Sequence, residues 1–262
     1  MSEILKRSKI EYISWSINWV SGCAVDCSYC YMRSMLERFE HNRRPWKDAR
    51  QVIQNPAEAL EADLCKRSTM PVGPIMISTS HDPAMNAEVS SDLREIVQVL
   101  VKYGLGGQTL LLTKRPMEAL AALEGIGAHS GLRIGTTLTT LGCKMSQRWE
   151  PGSEVPPVRL AALQQAATSG YKTWISMEPP LPGVWLYRMI EEIKPDALGW
   201  PWIVLGRMNY RGSNDELLDW AKTHPWGEDR EKAVERLISL DYLPSITPQN
   251  SGYYIKNELR KA

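Results

Sequence analysis

The strongest constraint on the fold is the repeated alternation of β-rich and helical segments along the chain. Each β-rich run is followed by a stretch with helical periodicity, which is typical of βα units around a mainly parallel sheet. Because a closed barrel needs about eight such units, the six units predict an α/β fold, a partial (β/α)6 TIM-like barrel. The predicted strands are Tyr12–Val20, Ile75–Ser80, Thr109–Thr113, Arg133–Thr140, Lys172–Met177 and Ile203–Met208. The predicted helices are Tyr31–Phe39, Ser91–Tyr103, Met117–Leu123, Pro157–Ser169 and Trp185–Ile193.

The chain after the last predicted strand is expected to form a small C-terminal helical extension. Glu216–Leu240 and Tyr253–Leu259 supply this extension. The 262 residues contain no low-complexity linker and no internal repeat, so a separate second domain is not indicated. We therefore predict a barrel core over residues 1–210 and an extension over residues 211–262 that packs on the core.

The charge of the chain is nearly balanced. Lys and Arg number 31 against 30 Asp and Glu, a net charge of +1, which excludes a protein that holds nucleic acid by overall basic charge. The first residues lack the apolar core of a secretory signal, and no run approaches the roughly 18 apolar residues of a membrane helix. A cytoplasmic protein without a membrane partner is therefore predicted.

Three of the five cysteines are clustered in the loop after the first predicted strand. Cys23, Cys27 and Cys30 have the spacing C-x3-C-x2-C. A disulfide is disfavoured, because the predicted compartment is reducing and the number of thiols is odd. Structural zinc usually has four Cys or His ligands in two separated pairs, and no second pair is present, but a zinc-stabilised binding module stays as an alternative. Three thiolates could instead hold three irons of a four-iron cluster and leave the fourth iron open to a small ligand.

The cysteine spacing, with an aromatic residue before the last cysteine, resembles the signature of the radical S-adenosylmethionine (SAM) superfamily. The resemblance implies a partial barrel and one [4Fe–4S] cluster on Cys23, Cys27 and Cys30, with SAM bound to the open iron. It also implies cleavage of SAM to a 5′-deoxyadenosyl radical and a reducing partner such as flavodoxin or ferredoxin. Only Cys65 and Cys143 remain, which is too few for a second cluster.

Within that superfamily, the chain resembles the spore photoproduct lyase-like group, whose members are often labelled DNA repair photolyases. The similarity extends from about Trp15 to Tyr210 and depends on the order and spacing of several short blocks. These blocks are Gly22-Cys23 with Cys27-Ser28-Tyr29-Cys30-Tyr31, Ser78-Thr79-Ser80-His81-Asp82-Pro83 with Glu88, Leu112-Thr113-Lys114-Arg115, Thr137-Leu138-Thr139-Thr140, Arg148-Trp149-Glu150-Pro151-Gly152, Gly170-Tyr171, Met177-Glu178-Pro179 and Gly206-Arg207-Met208-Asn209-Tyr210.

The resemblance assigns cofactor-binding roles to residues at the predicted carboxyl ends of strands, where barrel enzymes collect their binding groups. A lysine is expected to pair with the SAM carboxylate, hydroxyl residues to bind the methionyl amine, and one threonine, Thr137 ahead of Thr139, to contact the ribose. Two tyrosines are expected to shield the cluster and lie near adenine. A solvated lysine, strand-end hydroxyls and core aromatics are the ordinary alternatives. The residues concerned are Tyr29, Tyr31, Ser78, Thr79, Ser80, Lys114, Thr137 and Thr139, with His81 and Asp82 expected to contact SAM or substrate.

Three residues are candidates for catalysis: Cys143, Glu178 and Arg207. Glu178 follows an apolar strand, where an unpaired carboxylate is costly to bury, so a cation such as Arg148 or Arg207, or a polar substrate, is expected beside it. The hydrogen-donating cysteine of the spore enzyme has no counterpart in Ile77–Asp82. Cys143 could donate hydrogen instead, while a structural ion pair and an incidental thiol remain the alternatives.

The resemblance points to a pyrimidine-type nucleic-acid base or nucleotide as the substrate, presented single-stranded or flipped out of a duplex. The balanced charge counts against nucleic acid, so a radical SAM enzyme acting on a small metabolite or natural-product precursor is the alternative. Expected stacking residues are Trp149, Trp185, Trp200, Trp202 and Tyr210, and a local basic patch is expected from Arg33, Arg38, Arg43, Arg44, Arg207 and Arg211.

Overall fold

A computed structural model describes residues 3–33, 35, 45–199, 201–208, 215–246 and 252–261. Its centre is an eight-stranded sheet in which seven neighbouring strands are parallel and one edge strand is antiparallel. A separate antiparallel pair joins β3 (Val20–Ser21) to β4 (Arg50–Gln51). In spatial order the main sheet consists of β1 (Leu5–Arg7), β2 (Trp15–Ile17), β5 (Ile75–Ile77), β6 (Thr109–Thr113), β7 (Arg133–Thr137), β8 (Lys172–Met177), β9 (Trp202–Leu205) and β10 (Gly252–Ile255).

Helices connect the parallel strands. The longest of those described, α2, begins after Asn86, whose side chain accepts a hydrogen bond from the backbone N–H of Val89, and it buries Leu93, Ile96 and Leu100. Short 3-10 turns at Gly106–Gln108, Ala128–Ser130 and Pro195–Leu198 precede the strands that follow them. The helices are α1 (Pro56–Cys65), α2 (Ala87–Lys102), α3 (Pro116–Ala122), α4 (Cys143–Trp149), α5 (Pro156–Thr168), α6 (Leu186–Glu192), α7 (Asp215–Thr223), α8 (Trp226–Ser239) and α9 (Asn257–Arg260).

The interior of the barrel is filled near the amino ends of the strands. Tyr12 packs edge-on against Trp174, Trp202 and Tyr254, with ring centroids 5.5–6.4 Å apart. Gly135 leaves the space that the Trp174 ring occupies, because a Cβ atom at position 135 would collide with that ring. Residues at and just beyond the carboxyl ends of the strands, such as Ser176 and Glu178, line a cavity instead.

The two edges of the sheet are joined by side chains. The loop between β1 and β2 carries Glu11, which accepts a hydrogen bond from the hydroxyl of Tyr254 at 2.6 Å and another from the backbone N–H of Asn257 at 3.0 Å. Glu11 therefore holds the last strand of the sheet against the first hairpin, although the backbones of β1 and β10 are not paired.

The predicted α/β partial-barrel class is confirmed, and the bounds of β6 and β8 are those predicted. The C-terminal extension differs, because it contains strand β10 as well as helices, and the predicted helical stretch Glu216–Leu240 divides at His224 and Pro225. Much of the predicted helix Tyr31–Phe39 and the boundary between residues 210 and 211 lie outside the described residues. Within the described ranges, no helix is both long and apolar enough to cross a membrane.

A candidate active site at the carboxyl ends of the strands

A cavity of about 460 Å³ opens at the carboxyl ends of the parallel strands. The loop after β3 contributes all three clustered cysteines to its wall, and each parallel strand from β5 to β10, or the segment that follows it, contributes at least one polar residue. Among the predicted site residues, those that line the cavity are Cys23, Cys27, Cys30, Tyr29, Tyr31, Ser78, Thr79, Ser80, Lys114, Thr137, Glu178 and Arg207.

Tight turns shape the cysteine loop. Gly22 has a φ of +89°, and a Cβ atom there would lie 2.8 Å from the carbonyl oxygen of Trp46, so the turn requires glycine. The backbone N–H of Cys23 donates to that same carbonyl at 3.0 Å, and the N–H of Cys30 donates to the carbonyl of Cys27 at 3.2 Å. These contacts direct three thiols from eight residues of chain into one cavity.

The surroundings of the three thiols disfavour the negatively charged thiolate unless a positive charge lies nearby. Burial raises the pKa of Cys23 to about 12 and also raises the pKa values of Cys27 and Cys30. The backbone N–H of Asp82 donates to Sγ of Cys23 at 3.3 Å, and the positive charge of Lys114 lowers the pKa of Cys27 in part. Metal bound to these thiols would supply the remaining positive charge.

The donor set fits an iron–sulfur cluster better than a single ion. In the part of the chain that the structure describes, no group of three or more His, Cys, Asp or Glu side chains is arranged to hold one metal ion. A cluster of several irons is larger, so each thiolate can bind its own iron without meeting the others at one point. Three cavity-lining thiols, with no further cysteine among the described residues that line the cavity, fit a four-iron cluster with one open iron.

The loop after β5 is held by a residue that the sequence did not single out. Asn18 follows β2, and its side-chain oxygen accepts hydrogen bonds from the backbone N–H groups of Thr79 and Ser80 at 2.8 and 3.1 Å. Ser78 adopts a φ of +59°, and its hydroxyl donates to the carbonyl of His81 at 2.5 Å. The predicted amine-binding segment therefore has one fixed shape, set mainly by Asn18.

The side chain of Asp82 has hydrogen-bond partners, whereas one ring nitrogen of His81 has none among the described residues. Asp82 accepts hydrogen bonds from the hydroxyl of Thr113 and the backbone N–H of Lys114, both at 2.7 Å, and thereby joins the loops after β5 and β6. Burial lowers the pKa of His81 to about 3, so its ring is neutral, and its Nε2 has no hydrogen-bond partner among the described residues. Both residues line the cavity.

A buried polar network lies behind the cysteine loop. Glu150 and Arg159, both without exposed side-chain surface, form an ion pair. Glu150 also accepts hydrogen bonds from the hydroxyls of Tyr29, Thr139 and, at 3.2 Å, Ser146. Thr139 is thus directed to Glu150 and does not line the cavity, whereas Thr137 does.

The segment from Trp149 to Gly152, which carries Glu150, also contacts the cysteine loop through its backbone. The N–H of Gly152 donates to the carbonyl of Val25 at 3.0 Å, and the N–H of Ser28 donates to the carbonyl of Trp149 at 2.9 Å. A Cβ atom at position 152 would lie 2.7 Å from Cα of Val25. The close contact of Gly152 with Val25 in the cysteine loop and the hydrogen bond from Tyr29 to Glu150 together hold Tyr29 beside the three thiols.

The partner of Glu178 is not either of the predicted arginines. Lys256, which follows β10, places its Nζ 2.5 Å from Oε1 of Glu178. Arg148 instead pairs with Glu216 on the surface at 2.5 Å, and Arg207 has no ion pair with Glu178 within the described part of the chain. The expectation of a nearby cation is correct, but the cation directly follows a strand, β10, that the sequence did not predict.

Other predicted residues lie away from the cavity. Cys143 is exposed at the first position of α4, so its predicted role as a hydrogen donor has no support in this geometry. Trp149 and Trp202 are core residues, and Trp185 packs against the His224 ring, so these three are not stacking surfaces of the cavity. Arg33 pairs with Asp26 at 2.5 Å. Trp200, Tyr210, Arg38, Arg43, Arg44 and Arg211 lie outside the described residues.

Comparison with solved structures shows the same arrangement of strands and helices in known enzymes. A spore photoproduct lyase mutant, with a cysteine replaced by alanine and dinucleoside spore photoproduct bound, superposes over 96% of this chain and 78% of its own with a TM-score of 0.65 and 15% identity. The chain has the fold of spore photoproduct lyase. A double mutant of the lyase with bound AdoMet and dinucleoside spore photoproduct gives a TM-score of 0.63 at 14% identity, over 96% of this chain and 78% of its own. A radical SAM methyltransferase from Sphaerobacter thermophilus gives 0.51 at 12% identity, over 92% of this chain and 66% of its own.

Sequence relatives extend over most of the chain at low identity. An uncharacterized protein of Acidianus two-tailed virus is 24% identical over 213 residues, which cover 74% of this chain and 67% of the relative. One from Methanocaldococcus jannaschii is 23% identical over 73% of this chain and 70% of its own. One from Mycobacterium tuberculosis is 24% identical over 80% of this chain and 64% of its own. No protein-family profile matches the sequence.

Proposed function

We propose that the protein is a radical SAM enzyme that abstracts hydrogen from a nucleic-acid base or nucleotide of the pyrimidine type. One observation carries the proposal: three thiols of a single loop line the same cavity as the residues predicted to bind SAM. That cavity lies at the carboxyl ends of parallel strands, where barrel enzymes hold their reacting groups. The shared fold with spore photoproduct lyase supports the same assignment.

The residues that would hold the cofactors form one side of the cavity. Cys23, Cys27 and Cys30 would bind the cluster, and Lys114 would pair with the SAM carboxylate. When bound, the cluster and SAM would supply a reducing electron and a carbon-centred radical that removes hydrogen from substrate. A flavodoxin or ferredoxin would deliver the electron.

The other polar residues of this side would bind and orient SAM. Ser78, Thr79 and Ser80 would receive the methionyl amine on a loop whose shape is fixed by Asn18. Thr137 would contact the ribose. The Nζ atom of Lys114 lies 5.5 Å from the centre of the Tyr29 ring, so the ring restricts the lysine to the cavity wall.

We propose that a substrate occupies the opposite side of the cavity. The residues that line this side follow β8, β9 and β10, and they include the apolar side chains of Pro179 and Met208. The lyase of the same fold has been crystallised with a dinucleoside, which supports a base or nucleotide here. Because the loop after β5 contains no cysteine, we propose modification or repair of a base without a donor thiol from that loop.

The test is anaerobic reconstitution of the full chain with iron and sulfide. We expect a brown protein with about four irons per chain and a reductant-dependent release of 5′-deoxyadenosine from SAM. Deuterium should pass from a labelled pyrimidine nucleoside or oligonucleotide into that product. A colourless protein that holds one zinc would overturn the proposal, and 5′-deoxyadenosine without deuterium from any nucleic acid would favour a small-metabolite substrate.

A matched pair of cysteine variants controls the reconstitution. Cys27→Ser should abolish both the cluster and the cleavage of SAM, because it removes one of three thiolates. Cys65→Ser removes an exposed thiol outside the cavity and should leave the iron content and the product unchanged. Equal loss in the two variants would show that iron binds without the proposed site.

A further inference from the structure

The ion pair of Glu178 and Lys256 lies on the side of the cavity that the cofactor residues do not use. The predicted SAM ligands follow β5, β6 and β7, whereas these two residues follow β8 and β10. Both side chains line the cavity and keep about a fifth of their surface exposed, 21% for Glu178 and 18% for Lys256. The pair therefore faces the space that a substrate would occupy.

The sheet is built to bring these two residues together across an intervening strand. Strand β9 lies between β8 and β10, and its continuation at the level of the pair is Gly206. A Cβ atom on Gly206 would lie 2.8 Å from both Cγ and Cδ of Glu178. Because position 206 has no side chain, Lys256 can reach over the strand and place Nζ 2.5 Å from Oε1 of Glu178.

The pair keeps unused hydrogen-bonding capacity. Lys256 is the only described residue that donates a hydrogen bond to Glu178, so one carboxylate oxygen of Glu178 has no partner among the described residues. Lys256 has three N–H donors, and its other close charged group is Glu258, with 3.3 Å between Nζ and Oε1. An acceptor and a donor therefore stand side by side at the wall of the cavity.

The charges around the pair restrict what can bind there. Two carboxylates, Glu178 and Glu258, lie against the single ammonium of Lys256. A phosphate or carboxylate ligand would meet these negative charges, and an amine would meet the lysine. A neutral group that presents a hydrogen-bond donor to Glu178 and an acceptor to Lys256 suits both residues.

A flat group of this kind also finds apolar surfaces beside the pair. The side chains of Tyr31, Pro179 and Met208 line the same cavity, and Tyr31 is held by a hydrogen bond of 2.6 Å from its hydroxyl to the carbonyl of Thr79. A planar ring could stack on Tyr31 while its edge contacts Glu178 and Lys256.

We infer that Glu178 and Lys256 bind the imide edge of a pyrimidine base, with Glu178 accepting the ring N–H and Lys256 donating to the adjacent carbonyl. This inference rests on the proposed function and names the residues that would select the substrate. Enzymes that act on an extruded base bind its Watson–Crick edge in this way. A partly exposed ion pair contributes little to stability by itself, so recognition gives a physical reason for the pair.

The test uses the reconstituted full chain with SAM and two probes, a fluorescent single-stranded oligothymidylate and the same oligonucleotide with every thymine methylated at N3. Methylation replaces the N3–H group, which would donate to Glu178, with a methyl group that cannot donate and that occupies the same edge of the base. We expect wild-type protein to bind the unmethylated probe at least about tenfold more tightly, since an unpaired polar group is costly to bury. Equal affinity for the two probes, or no binding of either, would overturn the inference without any variant being needed.

Variants then locate the discrimination. Glu178→Met removes the acceptor and should reduce the preference for the unmethylated probe to less than about twofold, whereas Lys256→Met should weaken the binding of both probes. Lys172→Met and Glu191→Gln, which change exposed residues outside the cavity, should keep both the preference and the affinity. Retention of the full preference in Glu178→Met, or of full affinity in Lys256→Met, would overturn the assignment of these residues.

A separate readout distinguishes this inference from the proposed function. The iron content and the slow release of 5′-deoxyadenosine without substrate depend on the cluster and SAM alone, so both should be unchanged in Lys172→Met and Glu191→Gln. If wild-type protein releases no 5′-deoxyadenosine, the proposed function fails. If it does release 5′-deoxyadenosine but binds both probes equally, only the recognition by Glu178 and Lys256 fails.

Discussion

The ion pairs Glu150–Arg159 and Glu178–Lys256 both lie near the cavity, and they are built differently. Glu150 and Arg159 lie behind the cysteine loop with no exposed side-chain surface, and hydroxyls of Tyr29, Thr139 and Ser146 also bond to the carboxylate. Glu178 and Lys256 lie in the cavity wall, are partly exposed and have few partners. The first pair is saturated and supports the loop, whereas the second retains capacity for a ligand.

The largest effect is expected from breaking the saturated pair. Arg159→Met would leave Glu150 buried without its main counter-charge and should lower the free energy of unfolding by about 3–5 kcal/mol. Urea unfolding of the purified chain measures this loss. The double variant Glu150→Gln/Arg159→Met should recover part of it, because no buried charge remains unpaired, and no recovery would contradict the role of the pair.

A second comparison uses the glycine beside each pair. Gly152→Ala places a methyl group against the backbone of Val25, which cannot move without the cysteine loop, and should destabilise the protein by about 1–3 kcal/mol. The three atoms nearest to a Cβ atom at position 206 all belong to the Glu178 side chain, which can rotate away. Gly206→Ala should therefore destabilise the protein less than Gly152→Ala. Iron retention after reconstitution should fall in Gly152→Ala alone. Equal iron loss in both variants would be inconsistent with this distinction.

The contributions of Glu150 and Glu178 to the free energy of unfolding should also change in opposite directions with pH. Burial opposes the charge of Glu150, but Arg159 and Lys114 outweigh burial and hold its pKa below the usual value. Its contribution to stability is therefore present above the unfolded-state pKa and is lost as the pH falls through the folded-state pKa. Burial raises the pKa of Glu178, only partly offset by Lys256, so its contribution is present at low pH and is lost as the pH rises through the folded-state pKa.

Unfolding measured between about pH 4 and pH 7 tests these signs. The stability of wild type relative to Glu150→Gln should increase with pH across this window. The stability of wild type relative to Glu178→Gln should decrease. Two differences that change in the same direction would show that one of the carboxylates does not have the environment described.

The smallest effect on stability is expected from Lys256→Met. Glu178 is partly exposed and its pKa is already raised by burial, so it can be hydrated or take up a proton when its partner is lost. The expected loss is about 1 kcal/mol or less, well below that of Arg159→Met. A loss as large as that of Arg159→Met, measured in the same urea titration, would make the second pair a structural one.

The sequence predicted the parts of the fold that local pattern determines. Strands such as Thr109–Thr113 and Lys172–Met177 are apolar runs between turn residues, and their ends were predicted correctly. The cysteine loop was recognisable because its spacing is local. Burial of a carboxylate at Glu178 also predicted a nearby cation, because the cost of an isolated charge does not depend on the fold.

Features that depend on distant pairing could not be predicted in the same way. Lys256 is 78 residues from Glu178 and directly follows a short strand, β10, which the sequence analysis assigned to the helical extension. Asn18 acts on Thr79 and Ser80 across 61 and 62 residues, and nothing around it in the sequence indicates that role. Thr137 and Thr139 look alike in the sequence, and only the position of Glu150 directs the second away from the cavity.

The contact between Glu11 and Tyr254 has a consequence for how the protein is made. The two residues are 243 positions apart, so the hairpin that carries Glu11 leaves the ribosome long before the strand that it holds. At common rates of synthesis this interval is roughly 10 to 50 s. During that time the three cysteines have already been synthesised, but the cavity lacks the wall that contains Lys256. The side of the cavity next to Glu178 is therefore completed only when the strand before Lys256 joins the sheet.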